Sequence, residues 1–396
     1  AGSTAVIDLS RNRETRFMKW TLTPKPRPRT PLPMTVNCGQ VSLGCVLRPD
    51  FREDWFAWAP EMDVGESAID MRPWLHKPAG KHGYLGYDGD RFRFEDGTPW
   101  KIWGVSNGAG TIRHYIDSAG NSYDKAAIDE GAAFYAKHGV NCFRMHKHME
   151  NPGGIFSSES VLTFDPLKLE TYDYYSAAMK REGIYQGLSP WFHLRLGPED
   201  AKHVIAFDEI MKPRRDKDGE IIRDRNGNIR RTGDCYGFSS FATDVQDLMI
   251  RIVVKLLEHE NPHTGMRYAD DPALAYIELR NEDSIFFYAT QRILQGAPTY
   301  KKLFCERFSD WLKAKYGTQE ALEAAWGKRA FNAWGFCYPD ESLEARNIFP
   351  ICNAWWFSPE GLANQEEAFG ARRRILDTGV FLYEEQNRFY DRFAEA

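Results

Sequence analysis

The chain has 396 residues and a net charge of −5, so its overall charge gives no indication of a nucleic-acid partner. No apolar stretch approaches the roughly 18 residues that a membrane span requires, and the sequence therefore predicts no membrane segment. The seven cysteines are odd in number and scattered, and they contain no C-x-x-C pair. That pattern argues against a disulfide framework and against a zinc site.

Residues 1–60 are predicted to form an N-terminal extension that packs on the main domain at 61–396, or the end of a larger β-rich domain. A segment at 23–33 has Pro at nearly every second position, which is typical of an extended linker or a strap. Cys38–Cys45 is the one local disulfide that the spacing makes plausible.

The pattern becomes regular from about residue 80. A hairpin at 91–98 with an Asp-Gly turn comes first, and strand and helix patterns alternate after it. This alternation predicts an α/β fold with a parallel sheet, and Asp124 is placed to cap the first helix. The predicted strands are 100–105, 140–145, 184–189 and 273–279, and the predicted helices are 124–138, 168–182 and 241–259.

Residues 208–234 form a predicted insertion between the third strand and its helix. Asp218-Gly219 and Asn226-Gly227 are strong turn signals, so the insertion is expected to be a charged β-hairpin arm. Its many arginines could bind an anionic polymer, and a solvated arm that pairs with its own aspartates is the alternative. The arginines are Arg214, Arg215, Arg223, Arg225, Arg230 and Arg231.

The fourth strand ends in a polar pair, Asn281 and Glu282. A strand that is apolar along most of its length is usually buried in a parallel sheet or barrel, and its last residues emerge where α/β folds place their chemistry. Glu282 is therefore a candidate general acid. A helix cap or an ordinary surface carboxylate is the alternative.

The same segment resembles the signature of clan A glycoside hydrolases, above all the cellulase-type family 5. The resemblance implies a (β/α)8 TIM barrel in which Glu282 is the acid/base of a retaining β-glycosidase and Asn281 contacts the sugar 2-hydroxyl. This chain departs from the family pattern at Asp283, where Pro is usual. The residues that carry the resemblance are Glu278-Leu279-Arg280-Asn281-Glu282.

Arg144, His146 and His148 follow the second predicted strand and would share one side if that strand continued. The resemblance implies that Arg144 orients the nucleophile carboxylate and that His146 contacts sugar hydroxyls. The His-x-His spacing also suggests a metal-dependent hydrolase that uses His146 and His148.

Three further substrate-binding candidates follow strands one and three. Asn107 comes after the first strand, close enough to the barrel axis to touch a substrate. Trp191 and His193 follow the third strand as a stacking platform and a hydrogen-bonding group. Packing in the core is the alternative for one of this last pair.

The residues after Glu282 show helical patterns, at Lys301–Tyr316, Gln319–Trp326 and about Asn364–Ala396, with an expected helical excursion at 300–350. No pattern for strands five to eight is evident. Because four parallel strands expose two edges and an unfilled interior, the sequence predicts that a second polypeptide completes the barrel.

The resemblance implies a nucleophile Glu at the end of strand seven, and therefore on that polypeptide. The alternative is a smaller fold or a distant Glu of this chain, for which Glu360, Glu366 and Glu384 are available.

The resemblance therefore implies a retaining glycosidase of oligosaccharides or polysaccharides that needs no cofactor and is secreted or periplasmic in a bacterium. Two other classes stay open. One is a non-catalytic carbohydrate-binding relic of a glycosidase barrel, and the other is the metal-dependent hydrolase.

Overall fold

A computed structural model describes residues 63–396 apart from 108–109, 151–153, 192–193 and 283. The predicted extension at 1–60, with its Pro-rich segment and the Cys38–Cys45 pair, lies outside the described residues. In the described part of the chain, no helix is both long enough and apolar enough to cross a membrane.

A four-stranded parallel sheet forms the centre of the fold, in the order β11-β6-β5-β4. Three short antiparallel strands precede it, and two-residue antiparallel pairs lie in the connections. The strands are β1 Leu85–Asp88, β2 Arg91–Phe94, β3 Pro99–Trp100, β4 Gly104–Asn107, β5 Cys142–His146, β6 Tyr185–Ser189, β7 Lys212–Pro213, β8 Arg231–Thr232, β9 Glu260–Asn261, β10 Met266–Arg267 and β11 Leu274–Ile277.

Helices connect the parallel strands and follow the last of them. Asp124 caps α2 by accepting a hydrogen bond from the Ala127 amide, as the sequence predicts. The helices are α1 Gly110–Tyr115, α2 Lys125–Lys137, α3 Pro166–Arg181, α4 Phe207–Ile210, α5 Thr243–Glu258, α6 Tyr288–Leu294, α7 Pro298–Tyr316, α8 Gln319–Trp326, α9 Pro359–Phe369 and α10 Arg372–Glu395.

This architecture confirms the predicted fold class, an α/β partial barrel. One boundary is wrong. The first parallel strand is β4, not 100–105, because Trp100 belongs to the antiparallel hairpin and pairs with Phe92. That shift of a few residues decides which side chains of the strand face inward.

The two faces of the parallel sheet differ in chemistry because side chains alternate along each strand. Phe143, Met145 and Leu188 pack into the large core under the helices. Cys142 and Tyr185 face the other way, into a small second cluster. We call this second side the interior face, since it corresponds to the inside of a barrel.

The β1-β2-β3 hairpin sheet covers the amino ends of the parallel strands. Phe94 stacks on Tyr185, the first residue of β6, with ring centroids 5.0 Å apart, and Trp100 lies at the same distance from it. Ala79 and Ala273 complete the cluster. The hairpin thereby excludes water from the amino end and leaves the carboxyl end for the site.

The edges of the parallel sheet lack partner strands among the residues that the structure describes. β4 has exposed residues on its interior side, Gly104 and Ser106, and all four residues of β11 are half-buried, whereas every residue of the central β6 is buried. An inside that stays open to solvent is what a barrel with only its first four strands presents.

All regular elements that the structure describes after Asn281 are helices, and within the expected excursion at 300–350 they extend no further than Ala330. The single long helix expected at 364–396 is wrong: α9 and α10 are separate because Gly370 adopts a left-handed conformation, φ +62°, and ends α9. Arg374 of α10 then forms a fully buried ion pair with Glu341.

Candidate active site

Polar side chains of the interior face gather at the carboxyl ends of β5, β6 and β11. The register aligns His146 of β5 with Ser189 of β6, and the β11–β6 ladder continues past the end of β11, where the Glu278 amide donates to the Leu188 carbonyl over 2.7 Å. Arg144 lies one interior position below His146. Parallel strands thus bring residues that are far apart in sequence to one edge.

An ion pair with an amide partner forms the centre of this edge. Arg144 Nη2 lies 2.7 Å from Glu278 Oε2, and its Nε donates to the same oxygen over 2.9 Å. The guanidinium also donates to the side-chain oxygen of Asn281. Both charged groups are about three-quarters buried, which limits their freedom and fixes the orientation of the Asn281 amide.

Glu282 follows Asn281 directly and is exposed. Within the described part of the chain, no ion pair or hydrogen bond involves its carboxylate. Its position just past the end of the fourth parallel strand is the one predicted for the acid/base. This exposed carboxyl group, on the residue that follows Asn281 in the chain, is available to contact a ligand.

His146 lies beside this array as a neutral ring. Burial, followed by the charges of Arg144 and Lys147, lowers the pKa of His146 to about 4. One ring nitrogen, Nδ1, lies 2.7 Å from the Ser189 hydroxyl oxygen. A neutral imidazole held in this way can exchange hydrogen bonds with a hydroxyl group above about pH 5 without adding positive charge.

His148 does not share a side with His146, so that expectation is wrong. β5 ends at His146, and Lys147 has a φ of +65°, which breaks the period-two alternation. The His148 ring is fully buried, stacks on Tyr172 at 5.3 Å and donates from Nδ1 to the Met145 carbonyl. The two histidines therefore do not converge as metal ligands.

Among the residues that the structure describes, no group of three or more His, Cys, Asp or Glu side chains is arranged to hold a metal ion.

His148 makes stability depend on pH. Burial lowers the pKa of His148 to about 4, so the unfolded chain binds a proton between about pH 6.5 and 4 that the folded chain does not. The contribution of His148 to the free energy of unfolding is complete above pH 6.5. It is lost as the pH falls towards 4, and its size is on the order of 3 kcal/mol. We expect His148→Phe to be somewhat less stable at pH 7 and to lose less stability on acidification, measured by urea unfolding at pH 7 and 4.5.

His138→Phe is the matched control for that experiment, because the exposed His138 ring also bonds a backbone carbonyl. It should keep the acid sensitivity of the parent protein. An unchanged pH dependence in His148→Phe would contradict the assignment.

Asn107 and Trp191 are used in packing. Asn107 lies on the helix side of β4, where its amide donates to the Tyr175 hydroxyl and accepts from the Tyr135 hydroxyl. Trp191 is 5% exposed and packs near Phe393 of α10, which is the core alternative. In this structure neither side chain is open to a sugar. The third candidate, His193, lies outside the described residues.

Two residues of the edge were not singled out as site residues by the sequence. Glu278 carries the ion pair with Arg144, and its place two residues after Tyr276 on the strand could have indicated an inward side chain. Arg280 donates to the Ser239 carbonyl and to the Ser239 and Ser240 hydroxyls, so it attaches the strand end to the segment before α5.

A catalytic role for this array, as proposed below, predicts that Arg144→Met lowers kcat/KM by roughly 100-fold or more without unfolding the chain. The substitution removes the cation beside Glu278 and the donor that orients Asn281, so the amide no longer holds one position. Steady-state kinetics with matched circular dichroism spectra would measure this. Arg181→Met, at an exposed ion pair with Asp129, is the control, and equal losses in both variants would contradict the role.

One family model matches a segment that is less than half of the chain. Residues 215–340 match the model of glycoside hydrolase family 42, described as β-galactosidase. The matched segment contains the motif at 278–282 and the site carboxylates. The chain is therefore related to the glycoside hydrolases of clan A, as the motif predicts. A comparison with curated proteins gives no match.

Two solved structures from Rhizomucor miehei are similar to part of the chain. A glycoside hydrolase family 5 mannosidase has 15% identity and a TM-score of 0.35, with 55% of this chain and 54% of that chain covered. An endo-1,4-β-mannanase has 16% identity and a TM-score of 0.34, with 59% and 58% covered. The chain thus spans little more than half the length of either.

Proposed function

We propose that this chain supplies four strands of a (β/α)8 barrel that hydrolyses a β-glycosidic bond in an oligosaccharide or polysaccharide with retention of configuration. The observation that supports it most is the exposed Glu282 beside the fixed Arg144–Glu278–Asn281 array, at the carboxyl edge of a parallel sheet. Barrel enzymes place their chemistry at this edge.

Each side chain has a distinct task in this proposal. Glu282 protonates the leaving oxygen and then takes a proton from the incoming water. The Asn281 amide binds the sugar 2-hydroxyl, Arg144 stabilises the neighbouring carboxylates, and neutral His146 contacts a further hydroxyl. A second carboxylate about 5–5.5 Å from Glu282 would form the glycosyl-enzyme bond.

The remaining strands of the barrel would come from a second polypeptide that carries the nucleophile. The open edges of β4 and β11 and the solvent-exposed interior residues Gly104 and Ser106 support this, because an unfilled interior and free edges are otherwise unstable. Native mass spectrometry of the protein from its own source should show this chain in a 1:1 complex. A folded monomer of 45.6 kDa with turnover of its own would contradict the proposal.

The substrate class can be tested with the sugars that the related proteins are named for. Purified enzyme would be assayed on β-1,4-mannan and on unactivated β-galacto- and β-manno-oligosaccharides, with Glu282→Gln as the low-activity reference. Hydrolysis that depends on Glu282 supports a glycosidase. Sugar binding without turnover would indicate a carbohydrate-binding relic, and activity lost with a chelator would indicate a metal-dependent hydrolase.

Export from a bacterial cell follows in this proposal from the size of a polysaccharide substrate. Fractionation of the native cells would test it, with activity expected outside the cytoplasm.

A further inference from the structure

The insertion after β6 contains a short internal repeat. Residues 215–222 and 223–230 align over eight positions and share Arg, Asp, Gly and Ile at equivalent places. Each copy forms one tight turn, and the two glycines, Gly219 and Gly227, have φ values of +86° and +85°. We call residues 212–232, from β7 to β8, the basic arm.

The basic arm is a regular structure and not a loose loop. Its three backbone segments are joined in a closed set of hydrogen bonds. The Ile222 amide donates to the Arg214 carbonyl over 2.8 Å, Arg230 donates to Ile222 over 2.9 Å, and Arg214 donates to Arg230 over 2.7 Å. A framework of this kind holds its side chains at fixed spacing.

Two of the four acidic side chains of the arm, Asp216 and Asp224, accept hydrogen bonds from the amides of its turns. Asp216 Oδ1 accepts from the amides of Asp218 and Glu220, and Asp224 Oδ1 accepts from those of Asn226 and Asn228. These aspartates therefore stabilise the turns and form no ion pair with the arginines within 4.0 Å. The arm is exposed and is partly paired with its own aspartates, through Lys217 and Asp218, but this ion pair involves none of the arginines.

Five arginines of the arm are exposed and form no ion pair among the described residues. Two of them donate to the carbonyl of a turn glycine, and three have no such contact. Between Lys212 and Thr232 the chain has eight cationic and four acidic side chains, a net +4 within a protein of net −5. The exposed arginines are Arg214, Arg215, Arg223, Arg225 and Arg230.

The base of the arm is fixed to α4, which is in turn fixed to the start of α7. Arg231 pairs with Asp208 and lies over the Phe207 ring at 4.9 Å, and Glu209 accepts from the Thr299 amide at the start of α7. The arm extends from the connection that leaves the carboxyl end of β6, and such connections form the walls of barrel active sites.

We propose that the basic arm binds a polyanionic polysaccharide, one that bears sulfate or carboxylate groups, and leads it towards the site. This inference rests on the proposed glycosidase function. Arginine guanidinium groups bind sulfate and carboxylate oxygens bidentately, and their fixed spacing on the arm suits a repeating charge. A cationic wall on an otherwise acidic protein also concentrates an anionic polymer at the cleft.

The test uses Arg214→Gln, Arg225→Gln and Arg230→Gln combined, which leaves intact the turn contacts of the other two arginines. The control combines Lys302→Gln, Lys313→Gln and Arg372→Gln, three exposed cations elsewhere. Binding to dextran sulfate, heparin, a polyuronate and neutral dextran is measured by calorimetry at 50 and 300 mM salt.

We expect salt-sensitive binding to the charged polymers alone, weakened about tenfold or more in the arm variant and little in the control. Turnover of a neutral glycan should be equal in both, so a failure of this inference is distinct from a failure of the glycosidase function. Equal losses in the two variants, or no binding to any polyanion, would overturn it. Salt-dependent self-association of the parent protein that is lost in the arm variant would also overturn it, because the arm would then bind a second copy of this chain.

Discussion

Glu282→Gln is expected to lower kcat/KM on an oligosaccharide by about 10³-fold and to leave the fold intact. Gln has the shape of Glu and cannot protonate the leaving oxygen, and general acid catalysis of this kind contributes roughly 10² to 10⁴ in rate. Because the Glu282 side chain is exposed and has no described hydrogen bond, its replacement costs the folded state little.

Substrates with different leaving groups distinguish the loss of a general acid from general damage to the active site. A nitrophenolate leaves without protonation, so kcat/KM for a nitrophenyl glycoside should fall less than tenfold in the same variant. Glu360→Gln, in the exposed first turn of α9, is the control and should match the parent enzyme. Equal loss on both substrates would contradict the acid role.

Arg374→Met should destabilise the C-terminal helices by about 3–5 kcal/mol, since it leaves the Glu341 carboxylate buried without its cation. The pair is bidentate, with both N···O distances 2.6 Å, and both side chains are fully buried. The guanidinium also donates to the carbonyls of Ala330 and Phe349. Urea unfolding monitored by circular dichroism measures the loss.

A double-mutant cycle tests whether the pair itself accounts for that loss. Arg374→Met combined with Glu341→Leu removes both charges, so the double variant should be less destabilised than the sum of the single variants. Additive losses would mean that the two side chains act through separate contacts. A surface pair such as Arg346–Asp310 should show only a few tenths of a kcal/mol in the same cycle.

The sequence is sufficient to predict the elements whose periodicity is strong. The strands at 142–146 and 185–189 and the helices at 125–137 and 243–258 lie within a few residues of their predicted positions. The polar end of the fourth strand is equally informative, because an apolar run that ends in Asn281 and Glu282 is typical of a strand that reaches the functional edge of an α/β fold.

The direction of individual side chains could not be predicted in the same way. Asn107 faces the helices because β4 continues past the predicted end at 105, and the alternation of the strand places Asn107 on the same side as Val105. His148 is buried because Lys147 leaves the extended conformation, which no residue type in the segment indicates. The break at Gly370 did have a signal, since glycine commonly ends helices.

The proton NMR spectrum of the first product released from a β-glycoside by the assembled enzyme tests the central claim most directly. A retaining enzyme with Glu282 as acid/base releases the β-anomer first, and mutarotation then produces the α-anomer. We predict the β-anomer signal in the parent enzyme and none with the oligosaccharide substrate in Glu282→Gln. Initial release of the α-anomer, or hydrolysis that survives the substitution unchanged, would contradict the account.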